Sequence, residues 1–330
     1  MSKELRRAGI TGVGSYAPDK VLTNRDLEEM VDTSDEWIKS RTGIQERRIA
    51  KEETTTSDLA YKAAEAALDD ADLAPEELDL ILVATVTPDM VFPATGCLLQ
   101  DRLNATDAAA FDLEAGCSGF VYGISVATQF VRTGAYDNVL VIGAETLSKI
   151  INWEDRNTCV LFGDGAGAAV IQPVESRGIL STVLGSDGSG GDVLQIPAGG
   201  SKQPASLETV ENNLHCIQME GNAVFKFAVR AMGKGAVEAL NEAGLEKEDV
   251  DFLIPHQANI RIIDGAAKRL NLSDDEVFVN LDKYGNTSAA SIPIALDEAV
   301  EAGKIHSGDR VVIVGFGAGL TWAASVIEWS

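Results

Sequence analysis

The chain has 330 residues, 45% of them apolar and 24% charged, enough for one large or two medium globular domains. Its formal charge of −24 opposes general nucleic-acid binding, which relies on lysine and arginine to neutralise phosphates. No apolar run approaches the roughly 20 residues of a membrane helix, the opening "MSKELRRAGITGVG" lacks the apolar stretch of a signal peptide, and Cys97, Cys117, Cys159 and Cys216 form no CxxC pair, so a cytoplasmic protein is expected.

Short apolar strands alternate with longer helical segments, the pattern of an α/β chain. Residues 67–84, "ALDDADLAPEELDLILVA", read as a helix end, a turn and a buried strand. A second strand then runs into "LEAGCSGF", and from Cys117 a helix is expected, with Phe120, Ile124, Ala127 and Val131 on its buried face and an end near Gly134. A small free cysteine packs well in a core. At a helix N-terminus it is also a nucleophile, because the peptide dipoles lower its pKa. Gly116 and Gly119 relieve crowding there, so backbone N–H groups can face a substrate oxygen. These residues alone allow both readings.

The strand "NVLVIGAE" follows, then "FGDGAGAAV" at residues 162–170. This contains G-x-G-x-x-A, but the glycines lead into another strand rather than a helix, so a dinucleotide site is rejected. Residues 185–204 hold too much glycine, serine and proline for regular structure and read as a lid or tunnel wall. Lys226, Arg230 and Lys234 are spaced by four, a basic stripe on a helix of an acidic chain. Ordinary solvated lysines would look the same.

Residues 239–256, "ALNEAGLEKEDVDFLIPH", repeat residues 67–84 without a gap and end on His256 in a polar turn. Arg261 and Lys268 share a helix face, with Arg269 beside them. Asn286, in "KYGNTSAASIP", is matched to Cys117, since Asn286 to Gly303 spans the same 17 residues as Cys117 to Gly134. Gly-Asn is otherwise an ordinary turn pair. "GFGAGLTW" reads as a tight turn between strands, with exposed N–H groups suited to an oxyanion hole. Two repeats in the same order point to two similar halves dividing near residue 175. They would bring Cys117, His256 and Asn286 together where strand ends converge.

"VDTSDEWIKSRTGIQERRIA", "AGCSGF", "FGDGAGAA", "PHQAN", "GNTSAASIP" and "GFGAGLTW" together resemble β-ketoacyl-acyl-carrier-protein synthase III, from about Gly9 to the end. The resemblance implies a thiolase-like α/β fold of duplicated halves in α-β-α-β-α layers. Residues 1–175 would carry the nucleophile, and 176–330 the histidine and asparagine. It implies a Cys117-His256-Asn286 triad, with the Cys117 and Ala318 N–H groups as oxyanion hole; the family more often has glycine at position 318, but only a backbone donor is needed. Trp37 and Arg156 would sandwich the adenine of coenzyme A, with Thr33, Arg41, Gly221 and Asn259 as further contacts. Phe92 would close the acyl pocket of a partner in a homodimer. Lys226, Arg261, Lys268 and Arg269 would dock an acidic acyl carrier protein.

The implied reaction is decarboxylative condensation of a short acyl-CoA with malonyl-carrier protein, needing no metal or redox cofactor. A papain-type hydrolase, a relative with a different condensation product and an inactive binding scaffold are the alternatives.

Overall fold

A computed structural model describes residues 5–330; Met1–Glu4, within the stretch read as free of a signal peptide, lie outside the described residues. One sheet is made of Arg7–Tyr16 (β1), Leu80–Ala84 (β2), Ala109–Leu113 (β3), Val139–Thr146 (β4) and Asp164–Val174 (β5), in the order β1-β5-β4-β2-β3. A second is made of Gly178–Ser186 (β6), Phe252–Pro255 (β7), Arg310–Gly317 (β8) and Thr321–Glu328 (β9), in the order β7-β8-β9-β6. In the first, β2 is parallel to β3 and β4, and β5 is antiparallel to β4 and β1. In the second, β7 is parallel to β8, and β9 is antiparallel to β8 and β6. The second sheet thus repeats the first, except that the counterpart of β3 is a single parallel bridge between Leu253 and Val277.

The principal helices are Asp35–Thr42 (α1), Thr56–Asp70 (α2), Gly119–Thr133 (α3), Gly221–Ala243 (α4), Ile260–Leu270 (α5) and Ser291–Glu301 (α6). Alternation along each central strand lets it bury both faces. Leu80 and Leu82 of β2, with Phe252 and Ile254 of β7, pack on a middle layer built from Phe120, Ile124 and Ala127 of α3 and Ile292, Leu296 and Ala299 of α6. On the outer side of the first sheet, Ile81 and Val83 meet Leu59, Ala63 and Ala67 of α2. On the outer side of the second, Val312 and Val314 meet Phe227 and Met232 of α4 and Ile262 of α5. The result is the layered, duplicated architecture expected from the sequence.

Residues 67–84 and 239–256 fall on equivalent elements: the ends of α2 and α4, short helical turns at Pro75–Glu77 and Lys247–Asp249, then β2 and β7. The second match is out of register. The starts of α3 and α6, Gly119 and Ser291, lie 172 residues apart, whereas the glycines beyond their ends, Gly134 and Gly303, lie 169 apart. Because α6 is about a turn shorter, matching on the terminal glycines slips the N-terminal ends by three. Cys117 is equivalent to Ala289, and Asn286 to Glu114. Residues 185–204 are also more regular than their composition suggests: they include the end of β6, a helical turn at Gly188–Val193, and Leu194–Gln195 paired with Gln218–Met219.

Close backbone approach joins the halves. A Cβ on Gly143 of β4 would overlap the Ala289 carbonyl, and one on its counterpart Gly315 of β8 would come 3.4 Å from the Cys117 carbonyl oxygen. Each sheet therefore receives the helix-opening turn of the opposite half.

Candidate active site

Cys117 lies in a single 3₁₀ turn, Gly116–Ser118, between β3 and α3. The α-helix itself begins two residues later, at Gly119. Gly116 adopts φ +53°, and a Cβ there would lie 2.6 Å from the Ala318 nitrogen. A Cβ on Gly317 would overlap the Cys117 nitrogen. The turn after β8 is therefore pressed onto the cysteine turn, bringing the Cys117 and Ala318 amides together. Ser118 Oγ donates to the Ala115 carbonyl (2.7 Å) and Thr321 Oγ1 to the same carbonyl (2.9 Å), fastening the cysteine turn to the start of β9.

The electrostatics at Cys117 differ from the sequence expectation. Burial, reinforced by Glu145, pushes the thiol up to about 12 against a lowering contribution from Ser288. Desolvation of the charged form outweighs the dipole of a helix that starts two residues further on. Burial therefore favours the neutral thiol of Cys117 over the thiolate.

His256 follows β7, its N–H donating to the Val314 carbonyl at 2.8 Å. The ring is fully buried, meets Phe316 edge-on at 5.3 Å, and is pushed down to about 3 by burial, so it is neutral near pH 7. Its Nδ1 lies 2.6 Å from Ser291 Oγ, which also accepts the Gln257 N–H at 3.3 Å. Ser291 Oγ can donate to Nδ1 while it accepts from Gln257, the arrangement in which Nε2 carries the hydrogen. Nε2 is buried and has no partner among the described residues.

Asn286 is held by its backbone: its N–H donates to the Leu161 carbonyl at 2.8 Å, and its carbonyl accepts from Gly163 at 3.0 Å. Its Oδ1 accepts the Ser288 N–H at 2.9 Å, which orients the amide and leaves Nδ2 as the donor to spare. Ser288 therefore holds Asn286 through its backbone, its own hydroxyl buried without a partner among the described residues, while Ser291 holds His256 one turn further on.

The remaining predicted residues lie on surrounding elements. Trp37 is on α1, whose first turn is capped by Ser34. The Arg156 guanidinium lies 5.2 Å from the Trp37 ring centroid and donates to the Asp32 carbonyl at 2.6 Å. The expected adenine slot is therefore closed, since a base between two planes needs about 7 Å, two stacking distances. Thr33 Oγ1 is buried without a partner. Arg41 and Gly221 are exposed. Both ends of the Asn259 amide are engaged: Nδ2 donates to the Arg41 carbonyl and Oδ1 accepts from Arg261 N–H, each at 2.9 Å, so this residue caps α5 and ties it to α1.

Phe92 is 83% exposed and its neighbour Val91 88%. Lys226, Arg230 and Lys234 are exposed along α4. Arg261 of α5 stacks on Phe225 of α4 at 5.0 Å, and the stem of Arg269 covers Gly233, so α4 and α5 present one basic face that includes exposed Lys268. "FGDGAGAA" enters β5 directly, as a strand. Among the described residues no cluster of three or more His, Cys, Asp or Glu side chains is placed to hold a metal, and no helix is long and apolar enough to cross a membrane.

Ser288, Ser291 and Glu145 were not singled out in the sequence. The signal for Glu145 was present, as an acidic residue ending the apolar strand "VLVIGAE". The two serines had none beyond the quoted turn itself.

Family models described as 3-oxoacyl-[acyl-carrier-protein (ACP)] synthase III and as its C-terminal part match residues 111–188 and 240–329. The chain is 66% identical to a β-ketoacyl-[acyl-carrier-protein] synthase III of Caldanaerobacter subterraneus subsp. tengcongensis, over 98% of both chains. It is 61% identical to the protein of the same name from Clostridioides difficile, over 98% of this chain and 99% of that one. The crystal structure of 3-oxoacyl-[acyl-carrier-protein] synthase III from Aquifex aeolicus superposes with a TM-score of 0.91 at 50% identity, covering 98% of this chain and all of that one. The layered fold, the order of its motifs and these likenesses agree: the chain belongs to the 3-oxoacyl-[acyl-carrier-protein] synthase III family of thiolase-fold acyltransferases.

Proposed function

We propose that Cys117, His256 and Asn286 divide between them the two half-reactions of this family's condensation, the first elongation step of type II fatty-acid synthesis. Cys117 attacks a short acyl-CoA thioester, and the Cys117 and Ala318 N–H groups hold the tetrahedral oxyanion. Coenzyme A leaves and malonyl-carrier protein enters. His256 Nε2–H and Asn286 Nδ2–H donate to the malonyl thioester carbonyl and stabilise the enolate formed as carbon dioxide departs. The carbanion then attacks the acyl-cysteine and yields a β-ketoacyl-carrier product.

One observation carries this reading. Two donors with no partner among the described residues, a neutral imidazole tied to β8 and an oriented amide tied to Ser288, belong to the same second-half segments, β8 and the Ser288–Ala290 turn, that pack against the Cys117 turn and the start of α3. A neutral histidine donates to an enolate without first having to lose a charge, and an amide suits the site where a carboxylate would repel it. The chemistry requires no metal or redox cofactor.

The same reading assigns residues 1–175 and 176–330 as the two thiolase-like halves. It takes Trp37 and Arg156 as the adenine clamp once they part, with Thr33, Arg41, Gly221 and Asn259 along the coenzyme A path. The exposed Phe92 is buried against a second copy in a homodimer, where it closes the acyl pocket. The basic face of Lys226, Arg261, Lys268 and Arg269 receives the acidic carrier, and the protein works in the cytoplasm.

Acetyl-CoA and malonyl-carrier protein supplied together test the reading. A β-ketoacyl-carrier product with one carbon dioxide released per turnover is expected. Free acetate with no use of the malonyl substrate would assign a hydrolase instead.

A further inference from the structure

Arg47 is a fully buried cation with no place in the reaction described above. It lies in the short strand Glu46–Arg48, which pairs antiparallel with Val21–Thr23. Its guanidinium donates to the Val160 carbonyl at 2.6 Å, to Asn24 Oδ1 at 2.9 Å and to the Leu22 carbonyl at 3.2 Å. No carboxylate lies within 4 Å of it among the described residues. A buried charge without a counter-ion is costly, and apolar side chains of similar volume commonly pack as well or better. Stability alone gives no account of an arginine here.

What the guanidinium holds is the backbone from which Asn286 hangs. Val160 precedes Leu161, whose carbonyl accepts the Asn286 N–H at 2.8 Å, and Gly163 donates to the Asn286 carbonyl at 3.0 Å. Between those two bonds, Phe162 and Asn286 form a parallel bridge. The base of the Arg47 side chain is wedged under the same crossing. A Cβ on Gly163 would lie 3.0 Å from the Arg47 Cβ, and one on Gly285 would lie 3.3 Å from it. Residues 160–163 and 284–286 therefore meet over one side chain. Ser288 sets the rotation of the Asn286 amide through Oδ1, but the bonds to Leu161 and Gly163 set where the residue sits.

On its other side the guanidinium meets Asn24, whose Nδ2 donates to the Ile44 carbonyl at 2.8 Å and to Asp35 Oδ1, at the start of α1, at 2.9 Å. Those bonds use the opposite end of the Asn24 amide and do not pass through Arg47. Loss of the guanidinium thus bears on Val160 directly and on α1 only at one remove.

We propose that Arg47 is a positioning residue for the decarboxylation step: by fixing Val160–Gly163 it fixes the place of the Asn286 amide. It acts through Asn286 and is not itself a catalytic group. The inference rests on the enolate role given to Asn286 above. A misplacement of about 1 Å can cost up to about a hundredfold in rate, and a donor to a developing enolate acts only where the charge appears.

The test compares two rates in the same preparations: Cys117 acetylation by acetyl-CoA, and carbon dioxide release from malonyl-carrier protein. Arg47→Met should lower kcat for carbon dioxide release roughly tenfold, with KM for malonyl-carrier protein and the acetylation rate each within about threefold of native. Combined with Asn286→Ala, it should cost nothing further in carbon dioxide release, since the group it positions is already gone. Arg47→Lys keeps the charge but cannot span three acceptors. It should show the same pattern, and it decides the matter should Arg47→Met fail to fold. Native carbon dioxide release in Arg47→Lys would overturn the proposal. So would equal losses in both steps, or losses that multiply when Arg47→Lys is joined to Asn286→Ala. Native carbon dioxide release in Asn286→Ala alone would instead overturn the enolate role of Asn286, and the proposal with it.

Discussion

The two halves share a scaffold almost strand for strand, yet their equivalent turns carry different chemistry. Where the first half has Cys117 the second has Ala289, and where the second has His256, 172 residues along the same register, the first has Ala84. Gly116 and Ser288 occupy the same position with φ of +53° and +50°, one making room for the Ala318 amide and the other supplying a hydroxyl. The repeat presents two opposed turns, and on the proposed mechanism one takes the covalent step and the other the enolate step. A symmetric site would need two nucleophiles or two enolate clamps, and neither alone joins two substrates.

That division can be broken most severely at the nucleophile. Cys117→Ser should reduce acyl transfer by at least about a thousandfold with the fold retained, because a serine hydroxyl is a far weaker nucleophile without a dedicated base. Mass spectrometry after acyl-CoA exposure should then show no adduct, against one on Cys117 in the native chain.

The structural symmetry is sharpened by the paired glycines. Gly143→Ala drives a Cβ into the Ala289 backbone, whereas Gly315→Ala meets the movable Ile292 side chain first, at 3.3 Å. Urea denaturation should show the first destabilised by about 1–3 kcal/mol and the second by less than about 1. Equal losses would mean that the two crossings are not packed as described.

A smaller effect belongs to the second half alone, which carries the basic face. Lys226→Glu should raise KM for malonyl-carrier protein roughly tenfold, since reversing an exposed charge removes one attraction and adds one repulsion. Lys247→Glu, outside that face, is the control, and equal KM values would leave the stripe as ordinary solvated surface.

Much of this was legible in the sequence because it is local. The repeat at residues 67–84 and 239–256 carries its own periodicity, and it placed β2, β7 and His256 without any long-range knowledge. The strand at "FGDGAGAA" was legible too, because the glycines lead into "AAVIQPV", a short apolar run closed by a proline, which suits a strand rather than a helix. The Asn286 register was not, since a shortened helix keeps its glycine stop while moving its start. The thiol's proton affinity was misjudged for a related reason: a dipole is readable from a helix start, but burial comes from packing such as that at Gly315 and Gly317, and the added repulsion from Glu145, all distant in sequence. The resemblance already paired Arg156 with Trp37, but the direct closure of the two side chains on each other depends on local conformation that no sequence pattern carries.

The claim that the halves own separate steps is tested most directly by separating those steps in His256→Ala and Asn286→Ala. Cys117 acylation by acetyl-CoA and carbon dioxide release from malonyl-carrier protein are measured on the same preparations. Acylation should stay within about tenfold of native, while decarboxylation falls by about a hundredfold or more, because the lost donors act on an enolate formed only in the second step. Variants that fail to acylate Cys117 but still release carbon dioxide at the native rate would contradict the account.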